Sequence, residues 1–416
     1  MNTFSIIFLL ALAIATVTRL WLANRHVQYI KAHRNAVPSE FAAEITLEAH
    51  HKAADYSSAK TRFGMTHTLF DAGVLLILTF GGLLQLLDNW AHAWFDADLL
   101  RGAAFIGLFA IVTMLIDIPF SYYRTFNLEA RFGFNKMTPG MWLADLVKSA
   151  AIGSAFGLPL VFAVLWLMGR MGSLWWLYVW AVWVAFSIFM MAIYPAFVAP
   201  LFNKFSPMQD GSLKQRIERL LAKCGFRSSG LFVMDGSRRS SHGNAYFTGF
   251  GKTKRIVFFD TLISRLNENE IEAVLAHELG HFKLHHVVRR MAWTFAVSLL
   301  FLALLGYLKD EAWFYQGLGV AYPATNAIAL LLFVLVVPVF TFLLQPLVAM
   351  YSRKHEFEAD VYAAQYSSAG ELTSALVKLY KDNASTLTPD PLHSAFYDSH
   401  PPASVRIARL QSLGAS

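Results

Sequence analysis

Long apolar runs, each close to the length of a membrane-spanning helix, dominate the hydropathy pattern of this chain. A helix needs about 20 apolar residues to cross the hydrocarbon core, where it satisfies its own backbone polar groups. The pattern predicts seven such helices, over residues 3–22, 68–87, 103–120, 149–168, 174–197, 291–308 and 327–350. We interpret the first as a retained span rather than a signal peptide, because it lacks a preceding basic segment and a convincing small-residue cleavage site.

The longest polar segment, residues 203–290, has the pattern of a small folded domain. Residues 213–224 are predicted to form an amphipathic helix with Ile217, Leu220 and Leu221 on one face. Asn267 or Asn269 is expected to cap a further helix, whose acidic first turn suits the positive end of the helix dipole. Between the two helices, short β-prone runs predict strands at residues 231–234, 245–247 and 255–259.

The second of these helices contains the sequence His277-Glu278-Leu279-Gly280-His281. Positions i and i+4 lie on one helix face, so both imidazoles can bind one metal ion while Glu278 lies beside it. A catalytic zinc ion needs three protein ligands and an open position for water. His285 lies one turn further on, but three ligands on an unbroken helix cannot close around one ion. The third ligand is therefore expected from another segment.

The seventh apolar run leads to a candidate for that third ligand. It continues without proline or glycine into a helical segment that carries Glu356, Glu358 and Asp360. At a rise of 1.5 Å per residue, Glu356 lies about 9 Å beyond the seventh run, and His281 lies about 15 Å before the sixth. Both sites then lie on one side of the membrane at similar depth. We predict that Glu356 is the third ligand and that Asp360, one turn beyond it, orients a ligand imidazole.

The composition also indicates a membrane protein. Charged residues make up 15% of the 416 residues and hydrophobic residues 56%, whereas about a quarter of an average soluble domain is charged. The net charge is +7, but the basic residues form no single stripe, so nucleic acid is not expected as a partner. Cys224 is the only cysteine, which excludes an intramolecular disulfide and a cysteine-based zinc site.

The distribution of basic residues predicts the orientation in the membrane. Cytoplasmic loops carry an excess of Lys and Arg. Of the 35 Lys and Arg residues, all but Arg19, Arg101, Arg170 and Lys309 follow the first, third, fifth or seventh apolar run. We therefore expect the N-terminus outside and the C-terminus in the cytoplasm.

Several ionisable residues lie within or beside the apolar runs, where charge is costly and often functional. Arg19 and Lys148 either reach the headgroup region or act within the bundle, and the sequence favours neither alternative. For Asp71 and Asp117 we expect a polar cavity inside the bundle. Asp145 is a further ionisable residue that counts as a functional candidate.

The order and spacing of several short motifs resemble the CAAX prenyl endopeptidase 1 family, which includes the a-factor-converting enzyme. The resemblance covers nearly the whole chain. Its motifs are Glu-Ala-Arg-Phe-Gly-Phe-Asn-Lys at 129–136, Tyr-Pro at 194–195, Ala-Pro-Leu-Phe at 199–202, Asn-Ala-Tyr-Phe-Thr-Gly at 244–249, the 277–281 core, Ser-Arg at 352–353 with Glu356 to Asp360, and His-Pro-Pro at 400–402.

The resemblance implies a fold and a set of site residues. The fold would be an all-α polytopic membrane protein, with seven helices enclosing a water-filled chamber and a small α/β gluzincin-like protease domain at its cytoplasmic end. One zinc ion would be bound by His277, His281 and Glu356, with Glu278 as the general base. Further roles implied for individual residues are substrate backbone binding by Asn244, Ala245 and Tyr246, stabilisation of the tetrahedral intermediate by His400, assisted by Arg406, and a structural or supporting position for His286.

These expectations divide the chain into four segments. Residues 1–199 form the first five spans, and residues 200–290 form the protease segment. Residues 291–350 form the last two spans, and residues 351–416 form a cytoplasmic segment with the third ligand. A bacterial inner membrane is the expected location, or the endoplasmic reticulum membrane for a eukaryotic source.

The expected function is zinc-dependent hydrolysis of peptide bonds near the C-terminus of prenylated CAAX-type or other membrane-associated peptides, with membrane lipid as the surroundings. The alternative is a quality-control protease without prenyl specificity. A seven-helix receptor has no need of the 277–281 motif, and the halves of the chain lack the matching broken-helix repeats of many transporters. A non-catalytic metal-binding protein would leave Glu278 without a purpose.

Overall fold

The fold is mostly helical. The structure is a computed structural model, and it describes residues 2–248 and 253–414. Within these ranges the α-helices are α1 Thr3–Ala32, α2 Leu47–Leu78, α3 Leu83–Trp94, α4 Asp98–Tyr123, α5 Pro139–Arg170, α6 Trp175–Ile193, α7 Ser212–Cys224, α8 Asp260–Ile263, α9 Glu268–Lys283, α10 His286–Leu308, α11 Ala312–Gln316, α12 Asn326–Thr341, α13 Gln345–Tyr366, α14 Ala369–Asp382, α15 Pro391–Tyr397 and α16 Ala403–Gly414. Short π-helical turns, Arg124–Glu129 and Tyr194–Val198, extend α4 and α6.

Six helical segments of the described chain are long and apolar enough to span a membrane, and a bent pair raises the number to as many as seven. The six are Thr3–Ala32, Asp98–Glu129, Pro139–Arg170, Gly172–Leu201, His286–Leu308 and Asn326–Tyr366. Their outward faces remain apolar: Trp293 is 62% exposed and Leu300 is 69% exposed. Large exposed apolar surfaces of this kind fit a lipid environment. The predicted polytopic helical fold is confirmed.

The second span differs from the prediction of one continuous helix over residues 68–87. Helix α2 ends at Leu78, and α3 begins at Leu83 with a bend of 53° between them. Gly82 has a φ of 75°, which glycine adopts without strain. Gly319 packs so close to the bend that an added Cβ would lie 2.9 Å from Phe80 Cα. The bend thus depends on packing from a distant segment, which the local apolar pattern does not reveal.

A four-stranded sheet lies in the polar segment between the fifth and sixth spans. Its strands are β1 Phe205–Pro207, β2 Arg227–Met234, β3 Ala245–Thr248 and β4 Thr253–Phe259, in the order β1-β2-β4-β3. β2 and β4 are parallel, and the other two pairs are antiparallel. The three predicted strands and the amphipathic helix are confirmed, whereas β1, with only three residues and a proline, was not predicted. β3 lies at an edge of the sheet.

The ionisable residues of the spans have identifiable partners. Asp145 forms a bidentate ion pair with Arg239, at 2.8 and 3.0 Å, and so ties α5 to the polar segment. Lys148 Nζ donates to the carbonyl of Leu201 at 3.0 Å. The guanidinium of Arg19 lies 4.4 Å from the ring centroid of Phe342. These three residues therefore contribute to packing between elements.

Asp71 and Asp117 meet around His67. His67 Nδ1 lies 2.8 Å from Asp71 Oδ2, and its Nε2 lies 3.6 Å from Asp117 Oδ1. The two carboxylate side chains are 59% and 60% exposed, so they face open space. His67 also packs edge-on against Phe120 of α4, with ring centroids 4.7 Å apart, so side-chain contacts bring the two carboxylates near one histidine.

Candidate metal centre and active site

Helix α9 has a well-defined start that fixes the position of the two histidines. Asn267 is the N-cap, and it forms a capping box with Glu270. This resolves the predicted choice between Asn267 and Asn269. The buried Glu270 carboxylate also binds Lys378 and Ser374 of α14, each at 2.6 Å. A cap of this kind typically contributes about 1 kcal/mol.

The imidazoles of His277 and His281 converge on one face of α9. Their Nε2 atoms lie 3.2 Å apart. Glu356 approaches from α13, with Oε2 3.4 Å from His277 Nε2 and Oε1 3.4 Å from His281 Nε2. One ligand atom from each of the three residues lies within 4.8 Å of the other two. The structure therefore brings together the three predicted ligands.

The donor set of this cluster fits a metal cation. Glu356 is 5% exposed, and its Oε2 atom finds no hydrogen-bond partner among the described residues. A buried carboxylate oxygen without a partner is costly unless a cation binds it. Two imidazole nitrogens and one carboxylate oxygen form a typical catalytic zinc ligand set, which leaves one position for water.

Close packing of α9 against α13 depends on Gly280. A Cβ at this position would lie 3.1 Å from Tyr362 Cβ and 3.2 Å from Ala359 Cα, which leaves no room for a branched side chain. The glycine between the two histidines therefore sets the distance at which Glu356 meets them.

We expect Gly280→Val to separate α9 from α13 and weaken metal binding. Overpacking of this kind typically costs 1–3 kcal/mol, about 5- to 150-fold in an equilibrium constant. Metal affinity and thermal unfolding should both decrease. Gly153→Val in α5 is the matched control, because a Cβ there has no atom within 4 Å. Equal metal affinity of Gly280→Val and wild type would contradict this role of Gly280.

The segment after α9 differs from the unbroken helix that was predicted. Helix α9 ends at Lys283, and α10 begins at His286. His285 lies between them with a φ of 60° and is exposed. Glu356, on a different helix, is the residue that meets the His277–His281 pair.

Asp360 and Arg406 lie behind His277. Asp360 Oδ1 is 2.9 Å from His277 Nδ1, as expected for a residue that orients this imidazole. Arg406 of α16 forms a bidentate pair with Asp360, at 2.9 and 2.6 Å. Arg406 is only 6% exposed, and its Nη1 atom also lies 3.8 Å from Glu356 Oε2. The buried carboxylate of Asp360 attracts the guanidinium, and the role of Arg406 beside His400 stays a prediction.

His400 lies at the open side of the cluster. Its Nε2 atom is 3.4 Å from Glu356 Oε1, and its side chain is 62% exposed. The loop that carries it follows α15, whose carboxyl end Arg353 holds through the carbonyls of Ser394, Ala395 and Asp398. Arg353 was part of a recognised motif, but sequence reasoning gave it no role.

The predicted backbone-binding residues lie on the edge of the sheet. Ala245 and Tyr246 belong to β3, and Asn244 directly precedes it. The Asn244 carbonyl accepts a hydrogen bond from Phe259 N, so β3 is anchored to β4 on its inner side. A cavity of about 540 Å³ adjoins Asn244 and is also lined by His242 and Asn383. His242 and Asn383 were not predicted as site residues, since neither lies in a periodic or metal-binding pattern.

The two histidines of the cluster have opposite pKa shifts, so one positive charge is favoured between them, either a proton or a metal ion. Burial lowers the pKa of His277, but the neighbouring carboxylates of Asp360 and Glu356 outweigh burial and raise it to about 9. Burial and the charge of His277 lower the pKa of His281 to about 3. Binding of a dication would displace the proton of His277. Burial also raises the pKa of Glu278, which makes this carboxylate a better proton acceptor.

Comparisons with known proteins cover both halves of the chain. Residues 26–204 match the family described as CAAX prenyl protease N-terminal, five membrane helices, and residues 207–413 match peptidase family M48. CAAX prenyl protease 1 of Saccharomyces cerevisiae is 34% identical over 410 residues, which cover 92% of this chain and 90% of that protein. The homolog from Arabidopsis thaliana is 37% identical over 391 residues, with 89% of each chain covered. The crystal structure of S. mikatae Ste24p has a TM-score of 0.92 at 31% identity and covers 99% of both chains.

Proposed function

Because this chain belongs to the CAAX prenyl protease family within peptidase family M48, and is thus an integral membrane metalloendopeptidase, we propose that it uses zinc to hydrolyse prenylated CAAX-type peptides. The observation that supports zinc is the convergence of His277, His281 and Glu356 around one buried, unpartnered carboxylate oxygen. This proposal also includes the residue roles below.

The proposed chemistry assigns proton transfer to Glu278. When bound, zinc supplies a Lewis acid that polarises water and the scissile carbonyl. Glu278 accepts the proton of the water as its oxygen attacks the carbonyl carbon, and it returns the proton to the leaving amine as the C–N bond breaks. His400 is exposed beside Glu356 and donates a hydrogen bond to the oxygen that becomes negative.

Substrate binding is proposed at the free edge of β3. An extended peptide can add to an edge strand through main-chain hydrogen bonds, so its side chains are selected by pockets. Strand β3 begins directly after Asn244, and its outer edge has no neighbouring strand among the described residues. The strand belongs to the same polar segment as α9. Asn244, Ala245 and Tyr246 are the residues proposed to bind the peptide backbone.

The membrane position supports a lipid-anchored substrate. The distribution of Lys and Arg supports a cytoplasmic C-terminus and an N-terminus on the opposite side. The active site then lies at the cytoplasmic end of the helices, in the endoplasmic reticulum of a eukaryote or the inner membrane of a bacterium. A prenyl chain that partitions into the bilayer holds its peptide near this end.

The test is cleavage of one CAAX peptide in farnesylated and unmodified forms by the purified protein in vesicles. Release of a C-terminal tripeptide, identified by mass spectrometry, is expected to be at least about tenfold faster for the farnesylated form. Each buried methylene contributes about 0.8 kcal/mol to membrane partitioning, so the lipid raises the local substrate concentration. A chelator should abolish cleavage, and added zinc should restore it.

The outcomes separate the two candidate functions. Equal rates for both peptides would remove prenyl specificity and favour the quality-control protease. Absence of cleavage in the zinc-loaded protein would contradict the proposed activity on this substrate class. Glu278→Gln protein serves as the control for contaminating proteases.

A further inference from the structure

His286 connects the candidate metal centre to a carboxylate on its far side. It is the first residue of α10 and is 3% exposed. Its Nδ1 atom lies 3.0 Å from His281 Nδ1, and its Nε2 atom lies 2.9 Å from Glu358 Oε2. Glu358 belongs to α13, the helix that also carries Glu356. The contacts thus run from His281 through His286 to Glu358.

Hydrogen-bonding rules determine which atoms carry protons in this chain of contacts. His281 directs Nε2 toward the cluster, and a nitrogen that binds a metal carries no proton. The proton of His281 therefore lies on Nδ1 and is donated to His286 Nδ1. His286 must then carry its own proton on Nε2. A carboxylate oxygen of Glu358 lies 2.9 Å from this nitrogen and accepts the hydrogen bond.

We propose that Glu358 is a positioning residue for the metal centre, and that it fixes the tautomer and ring orientation of His281 through His286. The proposal rests on the zinc site proposed above. Groups that hydrogen-bond to ligand imidazoles orient them and increase their basicity. Glu358 acts at one residue further from the metal than such groups usually do.

The positions along α13 explain why an intermediate histidine is needed. Glu356 and Asp360 are four residues apart and share a helix face, whereas Glu358 lies two residues from each and points elsewhere. Asp360 reaches His277 directly at 2.9 Å, while Glu358 reaches His281 only through His286. The contacts of each ligand imidazole therefore lead to a carboxylate of α13: directly to Asp360 for His277, and through His286 to Glu358 for His281.

His355 holds the ring of His286 in place. The two rings stack with centroids 4.0 Å apart and an angle of 8° between their planes. His286, His355 and Glu358 are close enough to suggest a second metal site. However, a ligand imidazole keeps the metal near its own ring plane, and two stacked parallel planes cannot share one ion. The observed geometry thus fits a hydrogen-bonded relay.

The experiment measures zinc content and the rate of zinc release to an excess of a chromogenic chelator. Glu358→Ala is expected to accelerate release about tenfold, within the 10- to 100-fold range typical of groups around metal ligands. Glu358→Gln should have a smaller effect, because its amide oxygen still accepts the hydrogen bond but carries no charge. Lys354→Ala is the control, since it removes only a 3.9 Å ion pair of Glu358.

A double variant separates a relay from an unrelated effect of Glu358. His286→Ala should accelerate release as much as Glu358→Ala, and the combination should add nothing further, because both interrupt one path. Additive effects of the two substitutions would overturn the relay. It would also be overturned if Glu358→Ala protein released zinc at the wild-type rate. If His286→Ala does not fold, the zinc-release rates of the two Glu358 variants still test the relay. Glu358 is partly exposed, so its substitution is expected to leave the fold intact.

Zinc content distinguishes the remaining outcomes. Wild-type protein that contains no zinc would contradict the proposed function itself. If the wild-type protein contains zinc and Glu358→Ala releases it at the wild-type rate, only the relay would be overturned. Two ions per chain, with one lost in His355→Ala, would replace the relay with a second metal site.

Discussion

Glu278→Gln is expected to lose peptide hydrolysis while it retains the metal. Glutamine has the shape of glutamate but cannot accept the proton of the attacking water. General acid–base catalysis contributes about 10²- to 10⁴-fold, so kcat should fall by at least about 10²-fold. The metal content should not change, because the ligand atoms belong to His277, His281 and Glu356. Measurements of kcat, KM and bound zinc on one preparation test this expectation.

A matched variant on the same helix controls for general damage to α9. Glu272→Gln makes the same chemical change in a residue that pairs with Arg216 at 2.9 Å, outside the cluster. Its activity should remain close to that of wild type. If Glu278→Gln retained more than about a tenth of the wild-type kcat, the assignment of Glu278 as the general base would be wrong.

Arg406→Leu is expected to destabilise the protein strongly and weaken metal binding. The guanidinium is 6% exposed and neutralises Asp360, which is fully buried, from the back of the cluster. Removal of one partner of a buried ion pair typically costs about 3–5 kcal/mol, because the other charge stays buried. Thermal unfolding in detergent should occur at a clearly lower temperature, and zinc release should accelerate.

Two further variants identify the cause of this effect. Arg409→Leu changes the same residue type on α16, but Arg409 is exposed and lies over the ring of Phe357, so about 1 kcal/mol or less is expected. The double variant Asp360→Leu with Arg406→Leu removes both buried charges, so most of the lost stability should return. Its metal affinity should stay low, because His277 lacks its carboxylate partner. An unchanged unfolding temperature of Arg406→Leu would contradict the role of this pair.

Elements that depend on local patterns were predictable from the sequence. The apolar runs gave the membrane helices, since each must satisfy its backbone alone in lipid. The i and i+4 spacing of His277 and His281 requires only a helix to place both imidazoles on one face. The alternation and turn residues of the polar segment gave three of its four strands.

Features that depend on contacts between distant segments were not predictable. The bend between α2 and α3 relies on Gly319 from another part of the chain. The end of α9 at Lys283 was not expected, because no glycine or proline marks it. The pairing of Arg406 with the buried Asp360 was not predicted, because it joins α16 to α13.

The sequence alone therefore determined which residues are proposed to carry the chemistry: two histidines one helical turn apart, a glutamate beside them, and acidic residues after the last apolar run. Periodicity within one helix suffices for this, since it needs no knowledge of the neighbours. Only the tertiary structure decided how the α9 and α13 residues meet. Gly280 sets their separation, Asp360 with Arg406 supports one imidazole, and His286 with Glu358 supports the other. Packing and burial create these contacts, and they join segments that lie far apart in the chain.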